Sequence, residues 1–249
     1  MDLADKSILV TREANQAIEF NQKIKAASGN VLSAPLLKII PVKFDSVNLA
    51  DYNWIFFTSA NGVEKFLSQL TNHAWLKSIK IAVVGHKTEE ALKKYCLTAD
   101  FIPTVYNAVE MAKEFTTKYP EANKILLVRG NLSRNVLPNH FQNLKIDYDT
   151  VVVYETVINQ EIKPKLNQIF KTNKIDYITF MSPSTIDNFM KLLDEKYHDQ
   201  ALKIKVICIG TTTEKLALEK GFKHVSIPNQ FTADSMLEKI KEIERMTNL

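Results

Sequence analysis

Hydroxyl residues recur in two matching pairs of motifs, and each motif follows an apolar run typical of a β-strand. TSANGV (58–63) and MSPST (181–185) form one pair, and VGHKTEEA (84–91) and IGTTTEKL (209–216) form the other. Each motif is predicted to open a helix at the carboxyl edge of a sheet, where hydroxyls and free backbone N–H groups bind carboxylates or phosphates. The alternative is that Ser and Thr only cap their helices, which is their usual role.

Four further side chains are candidates for binding or catalysis because they flank strand-like runs. Arg12 and Arg129 end such runs, and a guanidinium there could pair with a ligand carboxylate, although a solvated arginine or an ion pair is the alternative. Tyr154, in VVVYET, could present its phenol to a ligand or be an ordinary half-buried strand tyrosine. Lys205, before VICIG, is on the residues alone a surface lysine at the start of a strand.

The motifs that the sequence lacks exclude several classes of protein. None of the six glycines forms GxGxxG or GxxxxGK[ST], so dinucleotide and P-loop sites lose their main support, and no G-x-S-x-G elbow is present. The histidines lack metal-ligand spacing and have no neighbouring cysteine pair: His73, His86, His140, His198 and His224. We therefore expect no cofactor and no metal.

The composition is that of a globular protein with room for two domains. Apolar residues make up 45% and charged residues 24% of the 249 residues, and the net charge of +4 is spread along the chain, which gives little support to nucleic-acid binding. The acidic start MDLADK and the lack of an apolar run of ~18 residues favour a cytoplasmic protein without a membrane segment. Cys96 and Cys208 lie far apart, so we expect no disulfide.

The elements that position these residues are predicted to alternate between strand and helix, which indicates an α/β protein with parallel sheets. The strand-like runs are SILVTR, NVLSAPLLKII, YNWIFFTS, KIAVVG, KILLVRG, DTVVVYETV, DYITFMS and KVICIG. The helical patterns are NGVEKFLSQL, TEEALKKY, AVEMAKEF, STIDNFMKLL, TEKLALEK and TADSMLEKIKEI. At the helix ends, Gly29 and Gly221 are predicted stops, Pro183 a first helical residue, and Thr211 with Glu214 a capping box.

An internal repeat relates the two halves of the chain. NWIFFTSANGVEKF matches DYITFMSPSTIDNF, and KIAVVGHKTEEAL matches KVICIGTTTEKLAL. Gly85 and Gly210 are 125 residues apart, as are Thr88 and Thr213, Pro103 and Pro228, and Ala108 and Ala233. Earlier in each half, ILVTR pairs with LLVRG, which brings Arg12 opposite Arg129. The repeat predicts two similar α/β units.

The chain has two stretches where it could cross between such units, near residues 35–41 and 156–164. If it crosses there, the first lobe is discontinuous and comprises residues 1–36 and 158–249, and the second lobe comprises residues 40–154. The repeat is compatible with that exchange without proving it.

The ordered series of motifs resembles the uroporphyrinogen-III synthase family over essentially the whole chain. The segments that carry the resemblance are ILVTR, APLLKI, YNWIFFTSANGVEKF, IAVVGHKTEEAL, ILLVRG, VVVYET, DYITFMSPSTIDNF and VICIGTTTEKLAL, in that order. The resemblance implies two flavodoxin-like lobes with parallel sheets, joined by a two-stranded connection.

The same resemblance implies a cofactor-free lyase that closes hydroxymethylbilane, a linear tetrapyrrole with eight carboxylates, into a ring with inversion of ring D. It assigns Tyr154 to assist departure of the substrate hydroxyl. It also assigns substrate binding to Arg12, Ser59, Asn61, Gly62, Gly85, Thr88, Arg129, Ser182, Ser184, Lys205, Gly210, Thr211, Thr212 and Thr213. The family's Gly/Asp-rich turn after ILLVRG is replaced here by NLSRNVL, which leaves residues 131–135 without an assigned contact.

One other function stays open at this point, and another is disfavoured. A non-catalytic two-lobed sensor for an anion or tetrapyrrole would carry the same lobes, whereas a fused methyltransferase would need more than 249 residues. We further expect a monomer, with hydroxymethylbilane synthase as a transient partner.

Overall fold

The structure is a computed structural model that describes residues 3–44, 48–71, 76 and 78–247. The described residues form ten β-strands and ten α-helices. The strands are β1 (Ser7–Val10), β2 (Asn30–Ser33), β3 (Leu37–Pro41), β4 (Trp54–Phe57), β5 (Lys80–Val83), β6 (Ile125–Gly130), β7 (Tyr148–Ile158), β8 (Tyr177–Phe180), β9 (Lys205–Cys208) and β10 (His224–Ser226). The helices are α1 (Ala14–Ala26), α2 (Ala60–Leu67), α3 (His86–Lys93), α4 (Ala108–Lys118), α5 (Val136–Asn143), α6 (Lys163–Thr172), α7 (Pro183–Leu192), α8 (His198–Ala201), α9 (Thr211–Glu219) and α10 (Ala233–Thr247).

The chain divides into two compact units. Unit 1 comprises residues 1–38 and 157–249, and unit 2 comprises residues 39–156. No described helix is long and apolar enough to cross a membrane.

Unit 1 is built on a five-stranded sheet in the order β10-β9-β8-β1-β2, with every neighbouring pair parallel. Numbered along the unit, this is the 2-1-3-4-5 order of flavodoxin-like folds. Alternate residues of β1 serve opposite faces, since Leu9 belongs to one apolar cluster while Ile8 and Val10 belong to another. Both faces of the sheet are therefore covered, as parallel sheets require.

Unit 2 is built on a second five-stranded sheet in the order β3-β7-β6-β4-β5. The pairs β4–β5, β4–β6 and β6–β7 are parallel, and Phe101 bridges to Ala82 at the outer side of β5. Ile55 and Phe57 of β4 face one cluster, whereas Trp54 and Phe56 face a second cluster centred on Phe115. The prediction of an α/β protein with two parallel sheets is confirmed.

The strand registers confirm the internal repeat. Leu9 pairs with Ile178 and Leu126 pairs with Ile55, and the two isoleucines occupy the same repeat position. Three residues further on, Arg12 and Arg129 therefore lie at equivalent positions of the two sheets. Because β6 corresponds to β1 but follows β4 in the chain, unit 2 visits the shared strand positions in a permuted order.

Some predicted elements differ in the structure. The run NVLSAPLLKII is two strands rather than one, because Pro35 separates β2, in the sheet of unit 1, from β3, in the sheet of unit 2. The sequence patterns do not predict α5, α6, α8 or β10, and of α1 they predict only the end, at Gly29. Pro138 lies in the first turn of α5, and Pro164 lies in the first turn of α6. A proline there costs no hydrogen bond of the helix, because N–H groups of the first turn have no partner within the helix. In the sequence, however, a proline argues against a helix, so these two helices are not predicted.

The predicted helix ends are partly right. Pro183 is the first residue of α7, and Gly221, with φ +93°, follows α9, as predicted. After α1 the left-handed residue is Ser28, not Gly29; a Cβ at Gly29 would instead lie 2.8 Å from Ile24 Cγ2. The predicted capping box is wrong, because Thr211 is already inside α9 and Gly210 precedes it as an N-cap without a side-chain bond.

Candidate functional site

Four helices open directly after strands at the carboxyl edges of the two sheets. Their N-cap residues are Ser59 and Gly85 in unit 2 and Ser182 and Gly210 in unit 1. Only Ser59 binds the first turn of its helix through its side chain, because Ser59 Oγ accepts the Gly62 N–H at 3.0 Å. The first-turn N–H groups of α3, α7 and α9 carry no side-chain cap, which suits the binding of anions.

Ser59 and Ser182 occupy the same repeat position but make different contacts. Ser59 Oγ lies 3.1 Å from the Tyr154 hydroxyl, whereas Ser182 Oγ lies 2.9 Å from Ser184 Oγ. Asn61, in the first turn of α2, is half-buried, and Ser184 is exposed. The repeat therefore preserves the backbone while only unit 2 couples its N-cap serine to a tyrosine.

The threonines that follow the two N-cap glycines divide into buried and exposed side chains. Thr88 and Thr213 are 4% and 3% exposed, and their N–H groups donate to the carbonyls of Gly85 and Gly210. Both residues are therefore almost wholly buried at the start of their helices. Thr211 and Thr212, in contrast, are exposed at the start of α9.

Two exposed aromatic rings pack on these glycines, and the sequence patterns do not single them out. Tyr106 packs on Gly85 and Phe231 packs on Gly210, although 54% and 59% of the two residues remain exposed. The aromatics are separated by 125 residues, as are the glycines. That shared offset is the signal that could have identified them.

Tyr154 is held by a β-bulge and by a glycine. Arg129 pairs with Val152 and Gly130 with Tyr154, so Val153 is an additional residue on β7. A Cβ on Gly130 would lie within the contact radius of Tyr154 Cε2 and Cζ and 2.8 Å from the phenol oxygen. Only glycine at position 130 allows this placement of the ring, and sequence reasoning missed that requirement.

A cavity of about 460 Å³ opens at this edge of unit 2 and brings three of the predicted residues together. Ser59, Arg129 and Tyr154 line it, with an apolar surface that includes Leu127 and Leu137. A second cavity of about 410 Å³ is lined by Gly85 and Thr88 and shares Val84 and Tyr106 with the first. These volumes fall in the range of roughly 300–1,000 Å³ that is typical of ligand pockets.

The Arg129 guanidinium is hydrogen-bonded to the loop that follows β6. Its Nη2 donates to the Ser133 carbonyl and to Asn135 Oδ1, the latter at 2.9 Å. Arg12, the equivalent residue of unit 1, is half-buried, and its Nε donates only weakly to Gln16 at 3.4 Å. Burial lowers the pKa of Arg12, although Glu13 and Glu19 oppose the shift. Arg12 is thus the better placed of the two to receive a carboxylate directly.

Lys205 lies at the other edge of the unit 1 sheet. It is the first residue of β9, whereas Thr211 follows the end of that strand. Its Nζ is 3.3 Å from Glu244 Oε1, and it lies over the ring of Tyr177. The structure therefore does not bring Lys205 together with Thr211, because its ammonium belongs to an ion-pair network at the amino ends of the strands, and its role in substrate binding stays a prediction.

No group of three or more His, Cys, Asp or Glu side chains suited to a metal occurs among the described residues, and His73 lies outside them. Both cysteines are free thiols, Cys96 exposed and Cys208 buried. Burial, with a smaller contribution from Glu214, raises the pKa of Cys208 to about 12, so this thiol is not a ready nucleophile.

Comparison with known proteins gives consistent matches. A family model described as uroporphyrinogen-III synthase HemD matches residues 18–238. A putative uroporphyrinogen-III synthase of Methanocaldococcus jannaschii is 30% identical over 95% of this chain and 98% of its own length. The uroporphyrinogen-III synthase of Chlorobaculum parvum is 28% identical over 95% of this chain and 98% of its own. The porphyrin biosynthesis protein HemD of Ruminiclostridium josui is 26% identical, and the match spans 48% of that protein.

Two solved structures share the fold. Uroporphyrinogen-III synthetase from Helicobacter pylori aligns with a TM-score of 0.66 and 19% identity over 96% of this chain and 99% of its own. A mutant uroporphyrinogen III synthase from Thermus thermophilus aligns with a TM-score of 0.57 and 14% identity over 97% of this chain and 99% of its own. At these identities the structural likeness supports the architecture.

Proposed function

Because the chain belongs to the uroporphyrinogen-III synthase family, we propose that it is a cyclising lyase that converts hydroxymethylbilane into uroporphyrinogen III with loss of water. The observation that carries this proposal is the family match over residues 18–238. The placement of Tyr154 supports it, because its phenol lines a cavity at the carboxyl edge of unit 2.

In the proposed reaction, Tyr154 donates its proton to the terminal hydroxyl of ring A, which leaves as water. Ser59 supports this role because its Oγ accepts from Gly62 and can donate its own proton to the phenol oxygen 3.1 Å away. The phenol proton is then directed to the substrate. Breakage of the carbon–oxygen bond leaves an electrophilic azafulvene.

The azafulvene is attacked by the substituted carbon of ring D, which gives a spiro intermediate. Fragmentation and reclosure through the other α-carbon invert ring D, and the proton released from that carbon restores the phenol. Protons and water balance over the whole sequence, and no electrons are transferred. The protein's main task is to fold the chain of rings and to hold it against direct closure.

In this proposal each unit has its own donors for carboxylates: in unit 1 the uncapped N–H groups that open α7 and α9 together with Arg12, and in unit 2 the uncapped N–H groups that open α3. Backbone donors at helix starts bind anions without adding formal charge. This explains how a chain of net charge +4 can bind a polyanion.

The finer organisation is also part of the proposal. We propose that residues 1–36 with 158–249 and residues 40–154 act as two lobes and that the protein is a cytoplasmic monomer. The two free thiols support a reducing compartment. Hydroxymethylbilane synthase is a fitting transient partner, because its unstable product would be the substrate here.

The decisive experiment is an isomer assay. Hydroxymethylbilane is supplied to the protein, the product is oxidised, and porphyrin isomers I and III are separated by chromatography. Predominance of isomer III over a blank that yields isomer I would establish the activity. Isomer I alone at high protein concentration would refute it and favour the non-catalytic sensor, which family membership otherwise disfavours.

A further inference from the structure

The loop that follows β6 forms one wall of the 460 Å³ cavity. It carries Arg134, a residue to which the family resemblance assigns no contact. Leu132, Ser133 and Arg134 of this loop line the cavity together with Tyr154. Arg134 is exposed, and the described part of the chain offers its guanidinium no carboxylate partner. We propose that Arg134 binds a carboxylate arm of a substrate pyrrole in this cavity and that Arg129 holds the loop that presents it. This inference rests on the proposed function, and it identifies Arg134 as the residue that recognises a pyrrole ring by its carboxylate arm.

The charge of the lining supports an anionic ligand. Two arginines, Arg129 and Arg134, are the charged residues among the fifteen that line the cavity, and no aspartate or glutamate is present. Arg129 donates to two oxygens of its own loop. Arg129 makes both bonds through Nη2, whereas no such bond within the described residues occupies the Arg134 guanidinium.

Hydrogen bonds hold the loop on both sides of Arg134, so the backbone that carries this guanidinium is fixed in position. Arg129 bonds to Ser133 and to Asn135, the two neighbours of Arg134 in the chain. The Gly130 N–H donates to Ser133 Oγ at 3.1 Å, and the Asn131 N–H donates to the Tyr154 carbonyl at 3.1 Å. The loop and the tyrosine are thus positioned by the same short segment.

The apolar part of the cavity suits a pyrrole ring. Val84, Leu127, Leu132 and Leu137 line it, and a guanidinium fork can bind a carboxylate through two parallel hydrogen bonds. A ring against the leucines with one acid arm on Arg134 would lie beside the Tyr154 phenol. The expected ligand is therefore a pyrrole with carboxylate arms rather than an inorganic anion.

Kinetics of three arginine variants test the role of Arg134. We expect Arg134→Gln to raise KM for hydroxymethylbilane about 10- to 100-fold, the usual cost of a lost charge-assisted bond, with a much smaller change in kcat. Arg134→Lys should recover part of the loss, since it keeps the charge but not the fork. The matched control is Arg245→Gln, an exposed arginine on α10, which should keep the wild-type KM. A wild-type KM in Arg134→Gln would overturn the inference.

A double variant tests whether Arg129 acts through Arg134. If Arg129 only presents Arg134, then Arg129→Gln should raise KM in the wild type but add nothing in the Arg134→Gln background. Additive increases in KM would show that Arg129 meets the substrate itself and would refute its positioning role. Loss of stability alone would change KM in neither background.

A binding measurement separates this inference from the proposed reaction. Porphobilinogen, a single pyrrole with one acetate and one propionate arm, is titrated calorimetrically into wild-type protein and Arg134→Gln. We expect the variant to bind at least about tenfold more weakly, whether or not the isomer assay shows turnover. Production of isomer III together with equal porphobilinogen binding and unchanged KM would leave the function standing and defeat the role of Arg134.

Discussion

Among single residues, Tyr154 has the most constrained surroundings. Its ring lies on Gly130, its hydroxyl lies 3.1 Å from Ser59 Oγ, and its carbonyl accepts from the Asn131 N–H. These contacts fix where the phenol proton can be delivered. The tyrosine can therefore be tested by removing the proton donor while keeping the ring.

We expect Tyr154→Phe to lower kcat about 100-fold with little change in KM, because general-acid assistance is lost while binding geometry survives. The measurement is the initial rate of isomer III formation. Tyr197→Phe, which removes a phenol from unit 1, is the control and should keep the wild-type rate. An unchanged kcat in Tyr154→Phe would remove this residue from the mechanism.

We expect Gly130→Ala to reduce the free energy of unfolding by about 1–3 kcal/mol, because the new methyl group overlaps the Tyr154 ring. Urea unfolding measures the loss. In a Tyr154→Ala background the same substitution should cost much less, since the overlapping ring is gone. Equal costs in the two backgrounds would show that the glycine is needed for another reason.

At the scale of elements, α10 is anchored to the sheet of unit 1 by one buried carboxylate. Glu244, 3% exposed, accepts from Lys6 at 2.7 Å, from Lys205 at 3.3 Å and from the Tyr177 hydroxyl. Burial alone would raise the pKa of Glu244, but these three donors outweigh it and lower the pKa to about 2. Burial, followed by the same contact with Glu244, raises the pKa of Tyr177.

This network predicts a loss of stability in acid. Because the pKa of Glu244 falls from 4.5 to about 2 on folding, its contribution is complete above pH 4.5 and is lost as the pH falls towards 2. We expect the difference in unfolding free energy between wild type and Glu244→Gln to shrink by up to about 3 kcal/mol over that range. Urea unfolding at several pH values measures it, and a constant difference would contradict the assignment.

The same network predicts that Lys205 has no part in substrate binding. Lys205→Gln should leave KM unchanged and lower the free energy of unfolding by less than about 1 kcal/mol, because its side chain is 40% exposed. A raised KM would restore the role that the family resemblance implies for this lysine.

Much of the element pattern could be predicted from the sequence, because apolar runs in parallel sheets are nearly continuous and easily read. Several features could not. Pro138 and Pro164 hide the starts of α5 and α6, and three-residue β10 is too short to show a period. The bulge at Val153 is equally invisible, since it depends on the pairing register between β6 and β7 rather than on either strand alone.

At the scale of the whole molecule, unit 2 is inserted into unit 1 between segments that are hydrogen-bonded to each other. The Asn159 N–H donates to the Leu36 carbonyl at 2.9 Å, its Nδ2 donates to the Pro35 carbonyl at 2.9 Å, and Lys38 pairs with Glu161 at 2.6 Å. The points where the chain leaves and rejoins unit 1 are thus adjacent.

This arrangement predicts that residues 37–158 fold when produced alone, because their sheet is covered on both faces by its own apolar clusters. Circular dichroism and urea unfolding should show α/β content and one cooperative transition. A fragment without a cooperative transition would show that unit 2 depends on unit 1 for stability.

The candidate site was predictable from the sequence only in part. The repeat located the N-caps and placed Arg12 opposite Arg129, because both follow from strand positions. The roles of three other parts could not be predicted: Gly130, Tyr106 and the loop around Arg134. They depend on which side chains from neighbouring elements lie close together, and those distances cannot be obtained from a single sequence. Lys205 begins β9, as its position before VICIG predicts, and so lies at the amino edge, away from Thr211.

The pairing of β1 with β8 also sets the order in which the nascent chain can fold. Thr11, just after β1, bonds through its hydroxyl to the Thr179 carbonyl, 168 residues later. At ribosomal rates of 5–20 residues per second, β1 waits roughly 10–30 s for this neighbour. Unit 2 is complete before that wait ends. During synthesis β1 can pair early with β2, but its other edge stays unpaired until β8 is made, and an unpaired strand edge is open to pairing with other chains.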